Sequence, residues 1–237
     1  MFGLKTKLFG QELRAHRQET GGMRGAGKTT KPSGLATGLV AGTMVATAMG
    51  WRLVEAIAKG DMVLTFDRGM QPVRAITRGV HWDRTTPCPK LLWPLKVPAG
   101  ALGNQDAMTL LPEQCVMVES DTADMLFGDP FTLLNGADLA GFRAIERAAP
   151  DCVLDVIQLH FDDDEVVFAN AGALVFCPSL RVINMAELLA ARPDTAPYTP
   201  LPADEAAMLI ECLVDEDAVS ITPSPGPAGP LQYAACA

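Results

Sequence analysis

The chain has 237 residues, 49 % of them hydrophobic and 20 % charged, which supports one sizeable core with extensions and excludes wholesale disorder. The formal net charge is −9, but Lys5, Lys7, Arg14, Arg17, Arg24, Lys28 and Lys31 face only Glu12 and Glu19, so the first 31 residues carry +5 and the remainder −14. An acidic body repels nucleic-acid phosphates and anionic membranes, so neither is expected as a partner of the folded part; a protein partner is open and the sequence does not name one.

The basic first stretch reads as a flexible, Gly-rich arm over residues 1–37. It lacks an apolar core of signal-peptide type, so no secretory signal is predicted and a cytoplasmic location is expected. Inside it, Gly22 to Thr29 (GMRGAGKT) matches the phosphate-loop spelling GxxxxGKT. A working phosphate loop needs a buried strand before it and a helix after it, so that backbone N–H groups converge on the phosphates. Here polar residues precede it and Pro32-Ser33 follows, so nucleotide binding is not expected.

The twenty residues between Lys31 and Arg52 carry no charge, a length that would just span a bilayer. Four glycines, together with Ser33, Thr37, Thr43 and Thr47, dilute the apolar content, and Thr43–Thr47 reads better as a short buried strand. Trp51–Val54 follows as a second strand, and Val54–Ile57 as one helical turn. Met62–Phe66 and Gln71–Ile76 flank Asp67-Arg68-Gly69 as a β-hairpin.

A proline-rich stretch (Pro87, Pro89, Pro94, Pro98) leads to a strand entered through Leu110–Gln114, with its body at Cys115–Val118. Thr122–Phe127 is expected to be a short helix capped by Asp121. Cys152–Phe161 alternates, with Val153, Ile157, Leu159 and Phe161 on one face and Gln158, His160 and Asp162 on the other. Asp162-Asp163-Asp164 then reads as a turn into Val166–Ala169, making a second hairpin. Trp51, Trp82 and Trp93 are expected to be buried or half-buried in the β-core.

Beyond Pro178, Arg181–Arg192 has helical propensity, Asp204–Val214 reads as a short amphipathic helix, and Pro223–Pro230 is a Pro/Gly tail. The six cysteines form no CxxC pair or His–Cys cluster, so no metal site is predicted; no cofactor is expected either.

Several of these segments together resemble a known family. Gly42-Thr43-Met44-Val45-Ala46-Thr47, Gly50, Val54-Glu55 and Gly60-Asp61-Met62-Val63-Leu64-Thr65 are similar to the opening of Hint (hedgehog/intein-type) domains, with their G-T-x-V-x-T, V-E and G-D-x-V strands. Gln71-Pro72-Val73-Arg74, Val97 to Gly103, Leu110 to Gln114, and Phe161 to Asn170 are similar, in the same order, to segments of a bacterial branch of that family. The resemblance covers about residues 38–178. It implies an all-β fold, a pseudo-two-fold arrangement of short strands and hairpins over 38–180, with a small helical and Pro-rich extension over 181–237.

The resemblance also implies a chemistry, self-cleavage of the backbone. In such domains a first-residue Cys or Ser attacks the carbonyl just before it, and a histidine helps the departing nitrogen take a proton. Carried over residue by residue, the nucleophile position falls on Gly38, which has no side chain. The L-S-P-x-H histidine falls on Gln114, which has no acid chemistry at neutral pH, and the F-D-x-H histidine falls on Asp164. The expectation is a pseudoenzyme, a non-cleaving member of an autoprocessing family, without catalytic residues. Three residues offer a route back to activity: Thr37 through a one-residue bulge, Cys115 as a displaced nucleophile, and His160 as a base. Against each stands an ordinary role: a loop hydroxyl, strand filling, and a solvated histidine on a polar face.

Overall fold

Turn residues cut the chain into short strands, and in this computed structural model those strands assemble into three sheets. Residues 34–82, 87–179 and 198–221 are described. Residues 1–33 of the basic arm with its GxxxxGKT run, Arg181–Arg192 and Pro223–Pro230 lie outside them.

The first sheet holds β1 (Leu39–Val40), β12 (Asp155–His160) and β6 (Ala75–Val80), in that order. The largest sheet runs β10 (Phe131–Asn135), β9 (Cys115–Glu119), β14 (Ala173–Cys177), β13 (Glu165–Ala169), β2 (Met44–Thr47), β4 (Met62–Thr65) and β5 (Gly69–Pro72), with β3 (Gly50–Leu53) paired to β2. The third holds β11 (Glu146–Arg147), β7 (Leu95–Val97) and β8 (Met108–Leu110). Every strand-to-strand pairing is antiparallel, as short connections require. Val54–Ala56 forms the expected helical turn.

The expected hairpin from Met62 is present, with Met62 opposite Pro72 and Thr65 opposite Gly69. Pro72 sits on β5, which ends the sheet's strand order, so its missing N–H costs no inner ladder bond. The second expected hairpin is not formed. β12 pairs with β6 and β1, whereas β13 pairs with β14, β2 and β4. The triple-aspartate turn therefore carries the chain from one sheet to another. Arginines from the first hairpin and its continuation hold it: Arg74 reaches Asp162 at 2.6 Å and Arg68 reaches Asp163 at 2.6 Å.

The main apolar cluster draws Leu39 and Ile157 from the first sheet, Val45 and Val167 from the second, and Leu95 and Leu110 from the third. The three sheets thus share one core. Fully burying each such side chain is worth about 1.5–3 kcal/mol.

Two helices complete the described part. α1 (Asp121–Phe127) is capped by Ser120 rather than by the expected Asp121, the Ser120 hydroxyl accepting from the N–H groups of Thr122 and Ala123. The cap residue must lie just outside the helix in extended backbone, and Ser120 has that conformation while Asp121 is already helical. α2 (Ala203–Ile221) extends seven residues past the expected end at Val214. Ala206, Leu209 and Leu213 insert into the main cluster, and beyond them Arg143 grips Asp217 through two nitrogens at 2.7 and 2.8 Å while Thr122 donates to Glu216. Among the described residues, no helix is long and apolar enough to cross a membrane. Trp82 and Trp93 are half-buried, but Trp51 is exposed on β3.

Candidate functional site

Two of the three positions that the motif order singled out, Gly38 and Gln114, meet at one peptide bond, Thr37–Gly38, at the entrance to β1. Gly38 and Gln114 lie 76 residues apart, yet the Gly38 N–H donates to Gln114 Oε1 at 2.7 Å. Gln114 is 2 % exposed and is itself fixed, its Nε2 donating to the carbonyls of Cys115 (2.9 Å) and Phe176 (2.6 Å). β9 and β14 are neighbours in the sheet, so one amide spans both strands and still holds the Gly38 nitrogen.

The other end of the same peptide is held by a residue that the motif did not single out. Gln158 Nε2 donates to the Thr37 carbonyl at 2.9 Å and to the Thr37 hydroxyl at 3.0 Å. The sequence signal was available, since Gln158 is the polar interruption in Val156–Leu159, but nothing local says what it faces. Two glutamines therefore bracket Thr37–Gly38, one on the carbonyl and one on the nitrogen.

Gly38 adopts φ +128°, which side-chain-bearing residues rarely do. A Cβ built there would lie 2.7 Å from Val156 Cγ1, 2.9 Å from Gln158 Cγ and 3.0 Å from the Ile157 carbonyl oxygen. What space remains is a cavity of about 10 Å3 lined by Thr37, Gly38, Gln114, Gln158 and Cys177, among others, the size of a single water.

The one thiol lining that cavity, Cys177, was not anticipated as a site residue. It is buried, and burial, reinforced by the Glu165 carboxylate, pushes it up to about 12. Burial therefore disfavours the thiolate, which is the nucleophilic form.

The remaining sequence candidates are not brought to this peptide as reactive groups. The Asp164 carboxylate accepts from the Ser179 N–H at 2.7 Å and does not line the cavity. Thr37 is adjacent, but its hydroxyl is occupied by Gln158. Cys115 directs its sulfur at Asn135 Oδ1, 3.3 Å away, and burial with help from Asp138 pushes its thiol up to about 11.

His160 departs from the expected solvated position. It is 5 % exposed, with Nε2 2.9 Å from Thr77 Oγ1, and its Nδ1 is buried without a hydrogen-bond partner among the described residues. Alternation placed it on the strand's second face correctly, but β12 lies between β1 and β6 and that face is covered at its end. It does not line the Gly38 cavity.

A second buried polar group lies where the chain leaves the aspartate turn. Glu165 is 1 % exposed, with Oε1 2.6 Å from Arg68 Nη2. Burial raises its carboxyl above the usual glutamate value, and Arg68 opposes that shift. Among the described residues no group of three or more His, Cys, Asp or Glu is placed to hold a metal ion.

The sequence matches the family described as Hint domain over residues 37–175. Among solved structures, the chain is similar to a bacterial intein-like domain from Clostridium thermocellum, at 18 % identity over 59 % of this chain and 98 % of that one, with a TM-score of 0.43. It is also similar to the gp41-1 intein, at 14 % identity over 58 % of this chain and 96 % of that one, with a TM-score of 0.38. No curated protein matches it.

Proposed function

The chain belongs to the Hint-domain family, and we propose that it is a non-cleaving member that keeps the fold as a structural or binding module. The observation that carries this reading is the state of the nucleophile position. Gly38 offers no hydroxyl or thiol, and a Cβ there would meet Val156 and Gln158 inside 3 Å. The position is filled by its neighbours as well as empty of chemistry.

Acyl transfer at a peptide needs three things: an attacking group, a donor on the carbonyl oxygen as it becomes an oxyanion, and a proton for the leaving nitrogen. Gln158 supplies a donor at the Thr37 carbonyl. Gln114 presents an acceptor, not an acid, to the Gly38 nitrogen. The first and third requirements are unmet, and the cavity beside the peptide has room for about one water. Burial raises the thiols of Cys115 and Cys177, which weighs against the displaced-nucleophile route.

Intact-mass analysis of the purified chain tests this. A single species at 25.2 kDa, unchanged by hydroxylamine, is expected. A stable fragment beginning at residue 37 or 38 overturns it, and its loss in Thr37→Ala or Cys115→Ala would identify the nucleophile.

A further inference from the structure

Away from the Thr37–Gly38 peptide, four half-buried aromatic residues converge where the segment before α2 meets the free edge of β10. Phe66, Phe127, Phe131 and Tyr198 line a cavity of about 300 Å3, within the size range of small-ligand sites. Phe66 and Phe131 meet edge to face with ring centroids 4.8 Å apart. Tyr198 is placed by a tilted contact with Phe176 at 5.8 Å, and its segment is tied to the sheet by the Leu201 N–H, which donates to the Leu133 carbonyl at 2.9 Å.

Two carboxylates stand at the same cavity. Asp67 accepts from the Tyr198 hydroxyl through Oδ2, and Asp129 accepts from the Phe131 N–H through Oδ1 at 2.9 Å. Each is therefore oriented through one oxygen. Among the described residues neither has a cationic partner. Thr132, also on the lining, has a buried hydroxyl oxygen without a hydrogen-bond partner among the described residues.

Aromatic faces with paired anions match one chemistry. A planar cation gains from ring quadrupoles and from carboxylate oxygens together, whereas an anion meets two like charges and a neutral apolar group leaves both carboxylates unmatched. The acidic body, −14 outside the basic first stretch, adds long-range attraction of the same sign. We infer that this cavity binds the guanidinium of an arginine side chain presented by a partner peptide. Guanidinium suits the site better than ammonium because it stacks on rings and pairs bidentately with carboxylates. The inference is independent of the non-cleaving reading, since the two cavities share no lining residue.

The test is an amide-resolved NMR titration of the full chain with N-acetyl-arginine N-methylamide and, separately, its neutral isostere N-acetyl-citrulline N-methylamide. Saturable shifts at Asp67, Phe131 and Thr199 with arginine, and none with citrulline, are expected. The Asp67→Asn/Asp129→Asn variant, altered only at exposed carboxylates, should lose about tenfold in affinity with its spectrum otherwise preserved. Asp155→Asn, exposed on β12, should change nothing. Equal responses to the two probes, no saturation with arginine, undiminished affinity in the double variant, or an equal loss in Asp155→Asn would each overturn the inference.

Discussion

Substituting alanine for Gly38 asks whether the nucleophile position still accepts a side chain. Two costs add. The backbone at φ +128° is strained for any L side chain, worth about 1–3 kcal/mol. The new methyl would sit 2.7 Å from Val156 Cγ1, 2.9 Å from Gln158 Cγ and 3.0 Å from a backbone oxygen, and overpacking of this kind costs about 1–3 kcal/mol. The sum, about 2–6 kcal/mol, is a large share of the 5–15 kcal/mol that holds a typical domain together. Gly42 is the control, because it too has positive φ, at +93°, but a Cβ there meets nothing within 4 Å. Gly42→Ala therefore reports the backbone cost alone. Urea unfolding of both variants, followed by tryptophan fluorescence, should place the Gly38→Ala midpoint below that of Gly42→Ala by the steric part, about 1–3 kcal/mol. If Gly38→Ala is no more destabilising than Gly42→Ala, the neighbours yield, the position is merely vacant, and the argument from a closed site fails.

Other consequences follow from the same geometry. Gln114→Ala strips partners from the Gly38 N–H and the Cys115 and Phe176 carbonyls, and losing three such part-buried hydrogen bonds should cost about 2–4 kcal/mol in the urea experiment; a change under about 0.5 kcal/mol would mean that water replaces the amide. Burial raises the Glu165 carboxyl in the folded chain above the usual 4.5, so its contribution to stability is complete below that value and is lost as pH rises through the raised one. Wild type should therefore lose ground to Glu165→Gln across that interval, and unfolding midpoints that stay parallel with pH would exclude the effect. Iodoacetamide at mildly alkaline pH should label exposed Cys152 well before Cys115 and Cys177, whose thiols burial holds at about 11 and about 12; fast labelling of Cys115, mapped by peptide mass, would restore it as a nucleophile.

What could be read from the sequence was what is local or ordered along it. The Met62–Pro72 hairpin needed only alternation and a turn, and both lie within a dozen residues. The encounter of Gly38 with Gln114 was accessible through motif order alone, since no local rule connects residues 76 positions apart. Three features stayed hidden for physical reasons. Alternation assigns His160 to a face without saying what covers it, and here neighbouring structure does. The aspartates after Phe161 spell a tight turn, but whether a turn returns to its own sheet or crosses to another depends on partners elsewhere, in this case Arg68 and Arg74. The amphipathic pattern stops at Val214, yet α2 continues to Ile221, where Arg143 and Thr122 hold Asp217 and Glu216.

The arrangement around Thr37–Gly38 separates gripping a peptide from breaking it. An amide donor on the carbonyl oxygen and an acceptor on the nitrogen stabilise the planar ground state as well as they would a tetrahedral one, and uniform binding of that kind gives no rate. What converts such a grip into catalysis is a group that gains strength only as the bond breaks: a nucleophile within reach of the carbonyl, and an acid whose proton follows the nitrogen. Glutamine has neither property, because its amide neither ionises nor transfers a proton at neutral pH. Gln114 is nevertheless worth keeping for stability alone, since it ties β9, β14 and the entrance to β1 through three part-buried hydrogen bonds. A glutamine that ties strands in this way resists replacement by histidine, because the change forfeits those bonds, and Gly38 has no space for a side chain to act with it.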